Sequence, residues 1–310
     1  LRRGRHLVGL RDFVRIIRAP FFTATIVPVL LGTAIAWHDG GINWGLFVAA
    51  LVGTVAINAA FDMSNDYFDH RSGTDAVNRN LTPFSGGSRT IQDGILKPRT
   101  VLLAALAFYA IGIGIGLYLA ATRGWTILAL GAIGVFLAFF HNAPPFNLYK
   151  RFPGAGELAV GIGCGPITVL GAYFVQTQRL TLEAFYVSLP VAFLITALLY
   201  INEFHDVEAD RSVGKKTLPV VLGRERAVWG YAALVGASYV AILAAVGARV
   251  LPLTLLFGLL SLPLAFRAVR GAYRHHSDTP KLIPVSAATI QIHLVTGLLL
   301  CAGYVVAGFF

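Results

Sequence analysis

Nine apolar stretches, each near the length that crosses a bilayer, fall at about 19–37, 45–65, 100–121, 125–141, 155–175, 184–204, 227–247, 250–268 and 286–309. About 20 apolar residues carry a helix across the hydrocarbon core. Backbone amides placed there must be satisfied within the segment, so each stretch is read as a helix. Composition agrees. Only 13% of the residues are charged and 56% are hydrophobic, with a mean hydropathy of +0.70, whereas a soluble domain is about 25% charged. The sequence therefore predicts an all-α, polytopic membrane protein of about nine transmembrane helices around a central cavity, forming one domain over 1–310. The basic, interrupted stretch from Leu1 to Arg18 lacks the short apolar core and small-residue cleavage site of a signal peptide. Cys164 and Cys301 both sit in apolar stretches, without disulfide or zinc spacing.

The net charge of +10 is distributed unevenly. Arg2, Arg3, Arg5, Arg11, Arg15 and Arg18 precede the first span, and Arg71, Arg79, Arg89, Lys97 and Arg99 follow the second. Lys150 and Arg151 follow the fourth, Arg211, Lys215, Lys216, Arg224 and Arg226 the sixth, and Arg267, Arg270, Arg274 and Lys281 the eighth. The opposite side receives Arg123, Arg179 and Arg249 alone. This is the positive-inside asymmetry. It predicts a multi-pass protein of the cell membrane with its N-terminus in the cytoplasm, and it accounts for the basic charge without nucleic acid. No protein partner is expected beyond the lipid bilayer.

Against this background two acidic runs stand at matching places, the ends of the second and sixth spans. They are Asn65-Asp66-Tyr67-Phe68-Asp69 through Asp75, and Asn202-Glu203-Phe204-His205-Asp206 through Asp210. Their four-span separation suggests two pseudo-repeated four-helix halves, about 12–150 and 151–283, with a ninth helix at 286–309. Ionisable groups at the ends of membrane helices mark functional sites by default. Asn202, Asp206 and Asp210 share one helical face, as do Asp62, Asp66 and Asp69, while Glu203 and Glu208 are expected to point elsewhere, into solvent. Gly73 permits a bend that returns Asp75 toward the cavity.

Facing acidic edges repel unless cations lie between them. Mg²⁺ is usually held by one or two carboxylates plus substrate phosphates, so the pattern points to a diphosphate clamped by magnesium, with both acidic runs on the cytoplasmic side. Gly86-Gly87-Ser88-Arg89 is placed to offer backbone N–H groups and a guanidinium to phosphate oxygens. Lys215 and Lys216 are candidates to neutralise a leaving diphosphate, and Arg18 and Lys150 to cup it. The glycines Gly112, Gly114, Gly116, Gly161, Gly163 and Gly165 read as close helix packing, and Pro166 as a kink in the fifth span. His141, His205 and His293 have no metal-binding spacing, and His293 is expected to be a hydrogen-bonded packing residue. There is no Walker loop, Rossmann fingerprint or Ser-His-Asp relay.

At these residues the chain resembles the UbiA superfamily of intramembrane prenyltransferases. The resemblance rests on Asn65 to Asp75, on Asn202 to Asp210 with Gly214-Lys215-Lys216-Thr217-Leu218, and on Pro144 to Leu148 with Gly154 to Glu157. It implies Mg²⁺ bridged by Asp69 across the cavity to Asp206 and Asp210, with Asp66 also in the metal set and Asn65 and Asn202 supporting the diphosphate. Asp62, Arg71, Asp75, Arg89, Lys150, Lys215, Lys216, Tyr149 and Arg18 complete the implied substrate-binding set. Many members carry an Asp where this chain has Gly73, the acid appearing instead at Asp75. That variant looks like the members that prenylate 1,4-dihydroxy-2-naphthoate. The implied reaction ionises an isoprenyl diphosphate away from water and alkylates an aromatic acceptor. Tyr67, Phe68, Tyr149, Tyr173 and Tyr200 are candidates to face the cation. The motifs leave other acceptors open (4-hydroxybenzoate, geranylgeranylglyceryl phosphate, haem), and a cation-coupled transporter is the reading from another class. Transporter sites, however, lie near the bilayer midplane.

Overall fold

The computed structural model describes residues 9–310; Arg2, Arg3 and Arg5, counted above for charge asymmetry, lie outside them. Among the described residues eight helices are long and apolar enough to cross a membrane. They are α1 (Ala19–His38), α2 (Trp44–Ser72), α3 (Pro98–Arg123), α5 (Ala155–Thr177), α6 (Leu182–Ser212), α7 (Arg224–Gly247), α8 (Leu253–His275) and α9 (Thr279–Ala307). A shorter apolar helix, α4 (Trp125–Phe140), makes the ninth. The chain is a multi-pass, all-α membrane protein.

Hydropathy locates the spans but understates two of them. Read as ending at 65 and 204, α2 and α6 run on to Ser72 and Ser212, through both acidic motifs. At 29 and 31 residues they exceed the roughly 20 that a hydrocarbon core needs, so their acidic turns project beyond it. Gly73 stops α2 with φ +83°, in the left-handed region that ends helices readily. The other ends are ordinary caps: Asn43 accepts from the Leu46 amide at 3.1 Å and Thr181 from the Ala184 amide at 3.2 Å.

α6, α7 and α9 share the largest core with buried residues of α1, α5 and α8. Membrane helices gain nothing from hiding apolar surface from lipid, so association relies on close packing and polar ties. Tyr231 reaches Thr289 at 2.7 Å, Tyr239 reaches Ser261 at 2.8 Å, and His205 on α6 reaches Ser286 on α9 at 3.2 Å. His293 departs from expectation: it is fully buried, yet neither ring nitrogen has a hydrogen-bond partner. The glycines divide. Gly112 lies against Ile57, Gly161 against Thr196 and Gly165 against Ala192, whereas a side chain at Gly114 or Gly116 would meet open space. Pro166 has no N–H for the helical ladder, and α5 widens into a π-helical turn over Gly163–Ile167.

At the end of the bundle away from the motifs, Arg123 donates to the Val175 and Gln176 carbonyls at 2.7 and 2.8 Å. The motif end carries the long loops. There Asn78, after α2, donates to Asp206 on α6 at 2.6 Å, which fixes the two acidic helix ends beside one another.

Candidate active site

Both motifs open onto one polar cavity of about 150 Å³. Asp62, Asn65, Asp66 and Asp69 enter it from α2, and Asn202, Glu203, Asp206 and Asp210 from α6. Spacing at i, i+4 and i+7 puts the α2 acids on one face, and the bundle turns that face inward.

The cation between the walls is Lys215. Its Nζ lies 2.9 Å from Asp69 Oδ1 and 3.3 Å from Asp210 Oδ1, and its side chain is only 7% exposed. Burial works against an ammonium, but Asp210, Asp69 and Asp206 outweigh it and hold its pKa above the usual lysine value. Lys215 also stands 4.9 Å from the ring centroid of Tyr149. Burial, and then the nearby Glu203 carboxyl, push the Tyr149 phenol well above its ordinary pKa, so it remains a hydroxyl.

Each acid has its own support. Asn142 donates to Asp69 Oδ1 at 3.2 Å. The Ser88 amide donates to both oxygens of Asp66, at 3.1 and 3.2 Å. That amide is brought in by Gly87, whose φ is +68° and whose Cβ, if present, would stand 2.8 Å from Asp66 Oδ1. The Gly-Gly turn thus binds the motif itself. Asp75, returned past Gly73, is buried and accepts from Gln92 at 2.9 Å. Burial, with the charges of Asp69 and Asp66, pushes its carboxyl above the usual carboxylate range. Arg18 reaches the Phe84 carbonyl at 3.3 Å and lies 3.9 Å from Asp62.

The implied residues do not all converge. Arg18, Asp75, Tyr149 and Lys215 line the cavity; Arg71, Arg89, Lys150 and Lys216 are not among its lining residues. Arg89 donates instead to the Asp75 carbonyl at 3.0 Å, Arg71 to the Tyr67 hydroxyl at 3.2 Å, and Lys216 to the Arg151 carbonyl at 3.4 Å. Glu208 is solvated as expected, 59% exposed and paired with Arg224 at 2.5 Å. Glu203 is not. It is 4% exposed, it lines the cavity, and neither carboxyl oxygen has a hydrogen-bond partner. The helix end that carries it is enclosed by the bundle, so a residue off the Asp206 face is still inside protein. Asn58, Phe61, Asn78, His141 and Asn142 also reach the cavity, from positions that no motif marks.

A second, apolar chamber of about 600 Å³ adjoins the first, and Asn58, Phe61, Val160 and Cys164 line both. Gly116, Gly131 and Gly134 leave space along its wall, and Leu117 and Leu128, each more than half exposed, open it laterally.

The carboxylates suit magnesium in one particular way. Among the described residues no three acidic, histidine or cysteine side chains converge closely enough to hold an ion alone. Asp69, Asp206 and Asp210 instead face one space with a cation already between two of them. Such a site fits an ion that brings phosphate oxygens with it.

Residues 25–283 match the UbiA prenyltransferase family. The chain is 30% identical over 288 residues to the 1,4-dihydroxy-2-naphthoate octaprenyltransferase of Bacillus subtilis, covering 93% of this chain and 90% of that one. It is 28% identical to the 2-carboxy-1,4-naphthoquinone phytyltransferase of a Synechocystis species, covering 94% and 92% of the two chains. The Mycobacterium tuberculosis 1,4-dihydroxy-2-naphthoate octaprenyltransferase is 32% identical, with 88% and 89% covered. Among solved structures, a UbiA homolog from Archaeoglobus fulgidus bound to GPP and Mg²⁺ superposes with a TM-score of 0.63, at 15% identity over 93% of this chain and 99% of that one. The apo UbiA homolog from Aeropyrum pernix K1 gives 0.67, at 16% identity over 94% and 98%. These last two show a shared fold. With both acidic helix ends on one cavity and a family match across most of its length, the chain belongs to the UbiA prenyltransferase family and is a multi-pass membrane prenyltransferase.

Proposed function

We propose that the protein transfers a prenyl group from an isoprenyl diphosphate to an aromatic acceptor of the 1,4-dihydroxy-2-naphthoate type, with Mg²⁺, at the cytoplasmic side of the membrane. One observation carries this reading: a cation-spanned acidic cavity continues into an apolar chamber through the shared residues Asn58, Phe61, Val160 and Cys164. That is the shape of an amphiphile with a charged head and an isoprenoid tail. Relatives named as naphthoate and naphthoquinone prenyltransferases support the acceptor class, and the positive-inside asymmetry supports the orientation.

In this reading Asp69, Asp206 and Asp210 hold Mg²⁺ together with diphosphate oxygens, with Asp66, Asn65 and Asn202 beside them. Bound there, the ion would supply charge stabilisation for the departing pyrophosphate. Lys215 adds an ammonium already desolvated and fixed on the cavity wall, which needs no reorganisation as negative charge develops on the leaving group. Arg18 stands at the cavity rim and balances Asp62. The lateral chamber receives the isoprenoid tail and keeps water from the allylic carbon. Of the aromatic candidates Tyr149 lines the polar cavity while Tyr67 and Phe68 line neither chamber, and Phe61, which the sequence did not single out, lines the junction between the two. Tyr173 bonds Asp39 at 2.5 Å and Tyr200 is buried in the core, so Tyr149 and Phe61 are better placed to face a carbocation.

The test is to incubate purified protein in lipid with Mg²⁺, geranylgeranyl diphosphate and a panel containing 1,4-dihydroxy-2-naphthoate, 4-hydroxybenzoate and geranylgeranylglyceryl phosphate. Mass spectrometry identifies the products. The naphthoate should be prenylated in preference; preferred prenylation of another acceptor contradicts the assignment.

A further inference from the structure

The polar cavity has a wall that a diphosphate cannot satisfy. Glu203 Oε1 and Oε2 are buried without hydrogen-bond partners, and so is His141 Nδ1. Both residues line the cavity, at 4% and 1% exposure. The tautomer of His141 is set by its other nitrogen: Nε2 lies 3.1 Å from the Gly156 carbonyl, which can only accept, so Nε2 carries the proton and Nδ1 the lone pair. Tyr149 stands between the two. Its ring centroid is 4.2 Å from that of His141, and the Glu203 carboxyl is a close polar neighbour. Phe61 closes the other side of the imidazole at 5.1 Å. Behind Glu203, Glu157 is anchored by the Leu218 amide at 2.6 Å.

These atoms are placed to accept hydrogen bonds, and the donors beside them are the Tyr149 hydroxyl and the proton that the adjoining Glu203 and Glu157 carboxyls can share. Buried acceptors left unsatisfied are costly, and phosphate oxygens, being acceptors themselves, cannot relieve them. The flanking surfaces are aromatic: Phe61, Tyr149 and the imidazole of His141. The complement is a flat ring bearing hydroxyl donors. We propose that Glu203 and His141 form the subsite that takes hydrogen bonds from the hydroxyl groups of the aromatic prenyl acceptor, with Glu203 as the residue that selects for a hydroxylated ring. This rests on the reading of the cavity as a site of prenyl transfer to an aromatic acceptor. It goes beyond that reading by dividing the cavity between two partners: Lys215 and the motif acids take the diphosphate, and the Glu203–His141 wall, adjoining Lys215 across the Tyr149 ring, takes the acceptor.

The experiment compares 1,4-dihydroxy-2-naphthoate with its O-methyl ethers, using purified wild-type protein, Glu203→Gln and Glu203→Leu, with geranylgeranyl diphosphate and Mg²⁺. Wild type should prefer the free hydroxyl over the ether by about 10- to 100-fold in kcat/KM, the range expected when a buried partner is left unsatisfied. Glu203→Leu should raise the KM for the acceptor by a similar factor and erase most of the preference. Its KM for the prenyl diphosphate should move less than about twofold, because Lys215 and the motif acids are untouched. Glu203→Gln, close in shape, should fold and show an intermediate loss. A wild type that uses hydroxyl and ether equally overturns the inference without any variant. Parallel changes in both KM values also overturn it, since they would indicate general disruption of the cavity. Failure of wild type to prenylate any hydroxylated aromatic compound would sink the functional reading along with it, whereas normal transfer with unaltered Glu203 variants sinks this inference alone.

Discussion

Asn78 donates to Asp206 across 2.6 Å, so the loop that follows the first acidic motif holds a carboxylate of the second. The contact joins residues 128 positions apart, and with it the two ends that must act together. Hydrogen bonds to charged groups contribute about 1.5–3 kcal/mol. Asn78→Ala is therefore expected to lower kcat/KM for prenyl transfer by about tenfold or more. Steady-state assays in lipid would check this, and a wild-type rate would show that Asp206 does not depend on the loop.

The turn at Gly87 makes a second case. Its φ of +68° favours glycine, and an added Cβ would sit 2.8 Å from Asp66 Oδ1 and 3.2 Å from Asp75 Oδ2. Gly87→Ala should displace the Ser88 amide from Asp66. Strain of this kind costs about 1–3 kcal/mol, so the expected result is a lower unfolding temperature together with reduced transfer. Gly214→Ala is the control, since it shares a positive φ of 77° but a Cβ there meets nothing within 4 Å. Its penalty should be smaller.

Exposure separates two glutamates on one helix. Glu208 pairs with Arg224 on the surface, 59% exposed, and such pairs are worth about 0–1 kcal/mol. Glu208→Gln should shift stability by no more than that and leave transfer unchanged. Loss of activity in this variant would mean that the outer face of α6 contributes to the site.

The apolar chamber makes a prediction about chain length. Gly116 lines it, and a side chain there would enter open space. Gly116→Phe should leave a short donor such as dimethylallyl diphosphate nearly unaffected. It should reduce use of geranylgeranyl diphosphate about tenfold, the effect of overpacking by about 1–3 kcal/mol. Product analysis with the two donors reads this directly, and equal effects on both would place the tail elsewhere.

How much of this was legible beforehand follows from what each signal measures. Hydropathy found the spans because a lipid-facing helix is apolar over a fixed length. It ended α2 and α6 too soon because helix and apolar run need not stop together: both helices continue through their acids to Ser72 and Ser212. Face periodicity brought Asn202, Asp206 and Asp210 to one side, and it assigned Glu203 to solvent on the same logic. That inference needs a solvated opposite face, and here protein encloses most of the turn, with Asn202, Glu203, Phe204, His205 and Asp210 all buried. Asn78, Asn142 and His141 were beyond reach for a different reason. Nothing local distinguishes a loop asparagine that meets Asp206 from one that meets water. The lysine pair was divided by the fold alone, Lys215 turning inward to Asp69 and Asp210 while Lys216 remains exposed.

The central claim is that both acidic helix ends grip one diphosphate through a shared ion. Calorimetric titration of pyrophosphate into the protein, with and without Mg²⁺, in wild type, Asp69→Asn and Asp206→Asn, tests it most directly. We expect binding that requires the metal and falls sharply when either carboxylate is lost. Undiminished, metal-independent binding in both variants would contradict the account.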